Sequence, residues 1–151
     1  MTDIVDAVTR SRMMSGIKGG NTKPELAVRK YLHSKGFRFR LHRKDLPGRP
    51  DIVLTKHNLV IFVHGCFWHC HFNCFYSRIP KTRVDFWTKK LSKNIDRDAI
   101  QIENLVNAGW RVLVIWECGL KLARNDLSDL DGLITGNASL VYWPAEPLRK
   151  A

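Results

Sequence analysis

The 151-residue sequence has no apolar run that approaches the roughly 20 residues needed to span a bilayer. Its start, MTDIVDAVTRSRMMSGIKGG, lacks the apolar core of a secretory signal. It also lacks the composition of a disordered or collagen-like chain, because 44% of its residues are apolar and 26% are charged. These absences predict a soluble, cytoplasmic protein that forms one domain around its own hydrophobic core.

Acidic residues are scarce relative to basic ones: 14 Asp and Glu stand against 25 Lys and Arg, which gives a formal net charge of +11. The excess is greatest near the start, where residues 1–49 hold 12 basic and 4 acidic side chains. A basic region of this kind favours a polyanionic partner, and nucleic acid is the commonest one. An anionic membrane is the alternative, but it requires a basic amphipathic helix with an aromatic face. The segment around Arg10, Arg12 and Lys18 shows no such face, so nucleic acid is favoured.

The order of predicted elements indicates a mixed α/β sheet with a helix on each face. The predicted elements are a helix at 22–36, strands at 37–41, 51–54 and 59–63, a helix at 84–108, a strand at 110–116, a short helix at 126–133 and a strand at 140–143. Thr22 can cap the first helix, and Glu25 stands three positions later, as in a capping box. Residues 1–21 are polar and interrupted by glycines, which is typical of a disordered tail or an arm.

Cysteine is rare, yet three of the four cysteines lie within nine residues of one another, among three histidines. Disulfides are disfavoured in the cytoplasm, so the cluster indicates a metal, and zinc prefers four nitrogen or sulfur ligands in a tetrahedron. One knuckle and one distant residue supply such a set: Cys66, His71, Cys74 and Cys118. Four protein ligands leave no open position, which predicts a structural zinc. Cys70 or His69 is an alternative member of the set.

Asp51 opens a predicted strand directly after a Pro-Gly-Arg-Pro turn, and a buried strand follows about ten residues later. This layout resembles the start of the PD-(D/E)xK nuclease core, in which a carboxylate helps to hold the divalent ion that activates water. No Asp or Glu occurs between Asp51 and Asp85, so the second acid of that core is missing. A backbone carbonyl or water must replace it, and His64 or His69 must act as the base.

Three aromatic residues lie in or near the metal-binding loop: Phe67, Trp68 and Trp87. On a basic protein, such residues are candidates for stacking on bases or wedging between them. Packing around the zinc site is the alternative. The aromatic residues alone do not separate these two interpretations.

Five segments together closely resemble the very-short-patch-repair (Vsr) mismatch endonucleases: LPGRPD at 46–51, FVHGCFWH at 62–69, KTRVDFW at 81–87, KNIDRD at 93–98 and GWRVLVIWEC at 109–118. The resemblance extends from about Arg10 to Cys118. It implies a single-domain PD-(D/E)xK-like (restriction-endonuclease-like) fold, a mixed sheet flanked by helices, with a structural zinc knuckle. It also implies a magnesium-dependent enzyme that nicks one strand beside the thymine of a T:G mismatch.

Such mismatches arise when 5-methylcytosine deaminates, so the resemblance further implies a functional link to a cytosine-5 DNA methyltransferase and to mismatch-repair proteins. A DNA-repair role agrees with the cytoplasmic location expected above. A single nick requires one active site, which favours a monomer.

The resemblance also implies roles for individual positions. Asp51 and the main-chain carbonyl of Val63 would bind magnesium, and His69 would be the general base. Three further residues would support them by holding water or orienting the histidines: His64, Glu25 and Asp98. Zinc would be held by the four ligands named above. The aromatic residues Phe67, Trp68 and Trp87 would enter DNA near the mismatch. Met14 would insert from a basic DNA-binding arm at 1–21, which leaves 22–151 as the nuclease domain.

Two positions depart from the family pattern. Val63 stands where the family commonly has Thr, which is tolerable if only the main-chain carbonyl binds the metal. The knuckle HCHFNC is one residue longer than the His-rich form associated with the family. Two other functions stay open at this point: a zinc-stabilised DNA-binding module without catalysis, and a nuclease of different specificity. Asp51 and His69 together argue against the first, because binding alone requires neither. Glu25 has an alternative role as a capping-box residue, and Asp98 as a solvated helix charge.

Overall fold

The computed structural model describes residues 22–72, 74–123 and 126–145. The predicted DNA-binding arm and Met14 lie outside these ranges. The helices are α1 (Lys23–Ser34), α2 (Val84–Asn107), α3 (Glu117–Ala123) and α4 (Asp129–Thr135). The strands are β1 (Arg40–Leu41), β2 (Ile52–Leu54), β3 (Leu59–His64), β4 (Arg111–Trp116) and β5 (Leu140–Trp143), with short 3-10 helices at Thr55–His57 and Phe75–Ser77. Within the described ranges, no helix is both long and apolar enough to cross a membrane.

The five strands form one mixed sheet in the order β1-β2-β3-β4-β5. The first three strands are antiparallel neighbours, whereas β3, β4 and β5 run parallel to one another. Parallel neighbours require a crossover connection. Helix α2 belongs to the crossover from β3 to β4, and α3 and α4 belong to the one from β4 to β5. The predicted mixed α/β sheet is therefore confirmed.

Alternate residues of the central strands pack into two cores, one on each face of the sheet. On one face, Ile61 of β3 and Leu113 of β4 pack with buried residues of α1, α3 and α4, among them Leu32 and Leu130. On the other face, the core contains buried residues of β3, β4 and α2 together with three cysteines: Phe62, Val114, Leu105, Cys66, Cys74 and Cys118. Helices thus cover both faces, as the alternation of elements predicts.

The predicted cap of the first helix is confirmed for Thr22, whereas the Glu25 side chain pairs with His42 and Arg29. Thr22 is the N-cap of α1, and its Oγ1 accepts a hydrogen bond from the backbone N–H of Glu25 at 3.3 Å. The helix ends before Gly36, which has a φ of +83° and so occupies the left-handed region that glycine adopts without a steric penalty.

Three details of the predicted elements differ from the structure. The predicted strand at 37–41 is reduced to Arg40–Leu41, because β2 is only three residues long and pairs with those two. The predicted helix at 126–133 begins later, at Asp129, after a turn in which Asp126 accepts hydrogen bonds from Ser128. Helix α3 was not predicted, because it has only 7 residues and contains a glycine.

Candidate active site and zinc centre

Four candidate zinc ligands lie together at the end of the sheet, and all of them are buried: Cys66, His71, Cys74 and Cys118. Their ligand atoms all lie within 4.8 Å of one another. The Nδ1 atom of His71 lies 3.6 Å from Cys66 Sγ and 3.5 Å from Cys118 Sγ. In a zinc tetrahedron with its usual bond lengths, a nitrogen and a sulfur ligand are about 3.5 Å apart. The predicted set therefore fits zinc.

Local backbone turns bring the knuckle ligands together directly after β3. The backbone N–H of His71 donates to Cys66 O at 3.0 Å, and Cys70 between them has a positive φ of 52°. Ser77 Oγ donates to His71 O at 2.6 Å. Cys118 arrives from another direction, as the second residue of α3 directly after β4. The site therefore fastens an irregular loop to the sheet.

The electrostatics of this cluster also favour a bound cation. Burial raises the pKa of the Cys66 thiol, and the neighbouring Cys118 and Cys74 sulfurs raise it further. Burial lowers the pKa of His71, which keeps its imidazole neutral, as a metal ligand must be. Thiolates crowded in a buried site require positive charge beside them. The alternative member Cys70 is only partly buried and is not one of the four grouped residues.

Asp51 lies beside the end of strand β3. Its Oδ2 accepts a hydrogen bond from the backbone N–H of Val63 at 2.7 Å. The preceding turn contains two residues with positive φ, Gly48 at +76° and Arg49 at +47°. A Cβ at Gly48 would lie 3.0 Å from the side chain of Gln101 on α2, so this turn packs closely against that helix. The turn therefore fixes where the carboxylate stands.

Burial raises the pKa of Asp51 to about 7. The Val63 N–H opposes this shift by stabilising the ionised form, whereas the Glu25 carboxylate beside it adds to the shift. A carboxylate with this environment gains from a nearby cation. The geometry thus suits Asp51 to the predicted metal-binding role.

Glu25 is 2% exposed and connects the first helix to this region. Its Oε2 lies 2.9 Å from His42 Nε2 and 3.3 Å from an Arg29 guanidinium nitrogen. The backbone N–H of His42 also donates to Asp51 O at 3.1 Å. Neither His42 nor Arg29 was predicted as a site residue. His42 follows a two-residue strand and belongs to no periodic pattern, so the sequence gives no signal for it.

The predicted histidine pair and Asp98 form one contiguous group, which is joined by a ring stack and a hydrogen bond. The rings of His64 and His69 stack with centroids 3.7 Å apart and an interplanar angle of 3°. His69 Nδ1 lies 2.5 Å from Asp98 Oδ2, so the Asp98 side chain is paired with the histidine instead of being a solvated helix charge. Burial, and next the neighbouring His69, lower the pKa of His64 well below its usual value. His64 is therefore a neutral imidazole.

Trp116 lies between the two centres. Its ring stacks on His71 with centroids 4.0 Å apart and an interplanar angle of 3°, and it meets His64 edge-on at 5.2 Å. One aromatic side chain at the end of β4 therefore contacts both a predicted zinc ligand and a predicted active-site histidine. This residue was not predicted, because its place in an apolar strand indicates only a core position.

The predicted DNA-contacting aromatics come together in one cluster. Phe67 lies 5.1 Å from Trp68 and 5.4 Å from Trp87, and the two tryptophans are 5.8 Å apart, between ring centroids. All three are half-buried. Asn94 of α2 donates a hydrogen bond to Trp68 O at 2.9 Å, which fixes the loop against the helix. The cluster is thus both packed and open to solvent.

Comparisons with known proteins agree with this geometry. The family model for the DNA mismatch endonuclease Vsr matches residues 2–75. A type II nicking enzyme, V.XorIIP of Xanthomonas oryzae, is 49% identical over 133 residues, which cover 88% of this chain and 92% of that protein. The DNA mismatch endonuclease Vsr of Escherichia coli is 43% identical over 85% of this chain and 81% of its own length. The type II nicking enzyme V.NmeAIP of Neisseria meningitidis is 47% identical over 80% of this chain and 86% of its own length.

These relatives match nearly their whole length, and the mixed sheet flanked by helices fits the restriction-endonuclease-like fold expected from the sequence. The buried cysteine and histidine cluster is the one that the sequence predicts. The chain therefore belongs to the Vsr family of DNA mismatch endonucleases.

Proposed function

We propose that the protein is a magnesium-dependent endonuclease that nicks one strand of duplex DNA beside the thymine of a T:G mismatch. Family membership supports the endonuclease activity, and the T:G preference is the expectation that the family carries. The observation that carries the catalytic assignment is at the end of β3. There, the backbone N–H of Val63 donates to the Asp51 carboxylate. The ring of the next residue, His64, stacks on the ring of His69, which pairs with Asp98.

The Asp51 carboxylate and the carbonyl of Val63 are the proposed magnesium ligands. In a strand, the N–H and C=O of one residue point to the same side. Because the Val63 N–H donates to Asp51, its carbonyl also faces that side. Mg²⁺ prefers such hard oxygen ligands, and when bound it activates water and neutralises charge on the scissile phosphate. Val63 would bind the metal only through its main-chain carbonyl, so Val in place of Thr is compatible with this arrangement.

His69 is the proposed general base. Its Nδ1 pairs with Asp98 Oδ2, so in the neutral ring Nδ1 carries the hydrogen and Nε2 can accept a proton from the attacking water. Asp98 holds that tautomer and stabilises the imidazolium that forms. The neutral, buried His64 stacks against the base and keeps its ring in place. The hydrogen bond to Asp98 and the stack on His64 together orient the His69 ring, and so fix the direction from which Nε2 accepts the proton of the attacking water.

The aromatic cluster and nearby basic side chains are the proposed DNA contacts. Phe67, Trp68 and Trp87 would wedge against the bases near the mismatch, because wedges of this kind pry open weakened base steps. Arg97 lies 3.8 Å from Asp98 and its side chain is 54% exposed, which suits it to contact a phosphate beside the base. The net charge of +11 supports binding along the backbone.

A nicking assay tests this function directly. Two duplexes that differ only in one pair, T:G against C:G, carry a different label on each strand and are incubated with the zinc-loaded protein. Mg²⁺ is either supplied or withheld. It is withheld instead of chelated, because a chelator would also remove structural zinc and unfold the protein.

We expect cleavage beside the thymine, on that strand alone, and only when Mg²⁺ is present. Equal cutting of both duplexes would indicate a nuclease of different specificity. Binding to the T:G duplex without cutting in any condition would indicate the zinc-stabilised binding module, once folding and zinc content had been verified.

A further inference from the structure

A third group of potential metal ligands adjoins the proposed magnesium site. It consists of Glu25, His42 and Asp51, with one ligand atom from each within 4.8 Å of the others. Glu25 comes from α1, His42 from the loop after β1, and Asp51 from the turn before β2. Three separate segments therefore converge on one point. Two of the donors are oxygens and the third is an imidazole nitrogen.

The distances suit coordination as well as hydrogen bonding. Glu25 Oε2 and His42 Nε2 are 2.9 Å apart. Donors about 2.1 Å from an octahedral ion lie about 3 Å apart when adjacent and about 4.2 Å apart when opposite. The backbone N–H of His42 donates to Asp51 O at 3.1 Å, which fixes the His42 backbone beside Asp51. The three side chains would need little movement to surround one ion.

The charges favour a cation at this point. Glu25 is almost fully buried, and Asp51 stands beside it in a half-buried position. Carboxylates that share such a site repel one another when both are ionised. Arg29 pairs with Glu25 at 3.3 Å and offsets part of this charge from one side. A divalent ion between the carboxylates and His42 would offset it from the other.

We propose that His42 coordinates the divalent ion of this active site together with Glu25 and Asp51. Imidazole is a poor ligand for Mg²⁺ but a good one for transition ions, and carboxylates suit Mn²⁺. The site therefore prefers Mn²⁺ to Mg²⁺ more strongly than an all-oxygen site does. The inference rests on the proposed use of Asp51 as a metal ligand, and it adds the His42 nitrogen and a Glu25 oxygen to that set.

The test is pulsed electron paramagnetic resonance of Mn²⁺ bound to the full-length, zinc-loaded protein without DNA. A coordinated imidazole couples its ¹⁴N nucleus to the electron spin of Mn²⁺. We expect this coupling in the wild type, its loss in His42→Gln, and its retention in His33→Gln. His33 is the matched control, because it is an exposed histidine in the last turn of α1.

A titration with Mn²⁺ and Mg²⁺ separates coordination from simple positioning of Glu25. If His42 is a ligand, His42→Gln weakens Mn²⁺ binding by about 10- to 100-fold and changes Mg²⁺ binding much less. Equal weakening of both ions would overturn the proposal, because it is the result expected when His42 only orients the carboxylate. Wild-type Mn²⁺ binding without ¹⁴N coupling would overturn it too, and that measurement does not depend on a variant that folds.

A different observation would contradict the proposed function. A protein that shows the His42 coupling but does not nick the T:G duplex would contradict the mismatch activity and leave the metal ligand in place. A protein that nicks the mismatch but shows no nitrogen coupling would contradict only the role of His42.

Discussion

The two ends of the GCFWH segment differ in how completely their side chains are enclosed. On one side, four zinc-binding candidates are buried and their donors face one another. On the other, His69 and Asp98 remain partly exposed, as does Asp51 beside the end of β3. Both groups are built at the end of the same strand. The difference is expected if the enclosed group has the structural role predicted for zinc and the open group is the proposed reaction site.

The same comparison holds for the charges. Burial is the largest cause of the raised pKa of both Cys66 and Asp51. The Cys66 sulfur is enclosed by the three other candidate ligands, which suits this group to hold an ion permanently. Asp51 has a pKa of about 7 and is partly open, which suits it to the proposed exchange of a cation near neutral pH. Trp116 contacts a histidine of each group, which connects the two centres through one side chain.

The largest effect is expected from breaking the enclosed group. Cys118→Ser removes one of its four ligands, and structural zinc contributes about 10–16 kcal/mol of apparent binding free energy in zinc-finger peptides. We expect the variant to lose zinc and at least about 3 kcal/mol of unfolding free energy, measured by metal analysis and denaturant unfolding. Cys70→Ser is the control and should keep both properties. Zinc loss in Cys70→Ser would show that the ligand set is different.

On the open side, His69→Gln should lower the nicking rate by about 10²- to 10⁴-fold, because it removes the proposed base that Asp98 orients. Zinc content and the unfolding midpoint should stay close to wild type. Single-turnover nicking on the T:G duplex measures the rate, with His33→Gln as the control. A rate close to wild type would show that another group takes the proton.

The pH dependence sharpens the comparison further. Because the pKa of Asp51 is raised to about 7, its proton competes with a divalent ion below that pH. We expect the affinity for Mn²⁺ to fall about tenfold per pH unit below 7 and to level off above it. In the zinc-loaded protein without a divalent ion at Asp51, the same shift makes folded Asp51 bind more protons than unfolded Asp51 between about pH 4 and 7, so its contribution to stability should fall as pH rises across that window. Asp51→Asn should remove this contribution and the pH dependence of Mn²⁺ affinity, whereas the opposite contribution of the lowered His64 pKa should remain.

The smallest effects concern two glycines that differ only in their surroundings. A Cβ at Gly119 of α3 would lie 2.5 Å from Pro144 Cδ, whereas a Cβ at Gly132 of α4 would have no neighbour within 4 Å. Gly119→Ala should therefore cost about 1–3 kcal/mol of unfolding free energy, because the packed site must shift. Gly132→Ala should instead stabilise the protein by about 0.4–1 kcal/mol, because it restricts the unfolded chain. Denaturant unfolding of both variants gives the comparison.

The sequence predicts the zinc set because three of its candidate ligands lie in one short loop, although spacing alone leaves Cys70 and His69 as alternatives. It predicts β3, β4 and α2 because long apolar or periodic runs define them. Strand β1 is predicted too long, since its length depends on how much of β2 is available as a partner. Tertiary pairing of this kind leaves no local signal.

The same reason explains the site residues that the sequence does not predict. His42 becomes significant only because a turn places it against Glu25, 17 positions earlier in the chain. Trp116 occupies an ordinary apolar strand position, and only the fold places it between two histidines. Asp98 is recognised through resemblance to a family, and its contact with His69 spans 29 positions.

The most direct test of the division between the two centres is Asp51→Asn. Asn retains an oxygen that can accept the Val63 N–H but removes the charge that would hold a divalent ion. We predict that nicking of the T:G duplex falls by about 10³-fold, while zinc content, mismatch binding and the unfolding midpoint stay at or above wild-type values. Nicking at the wild-type rate would contradict the account.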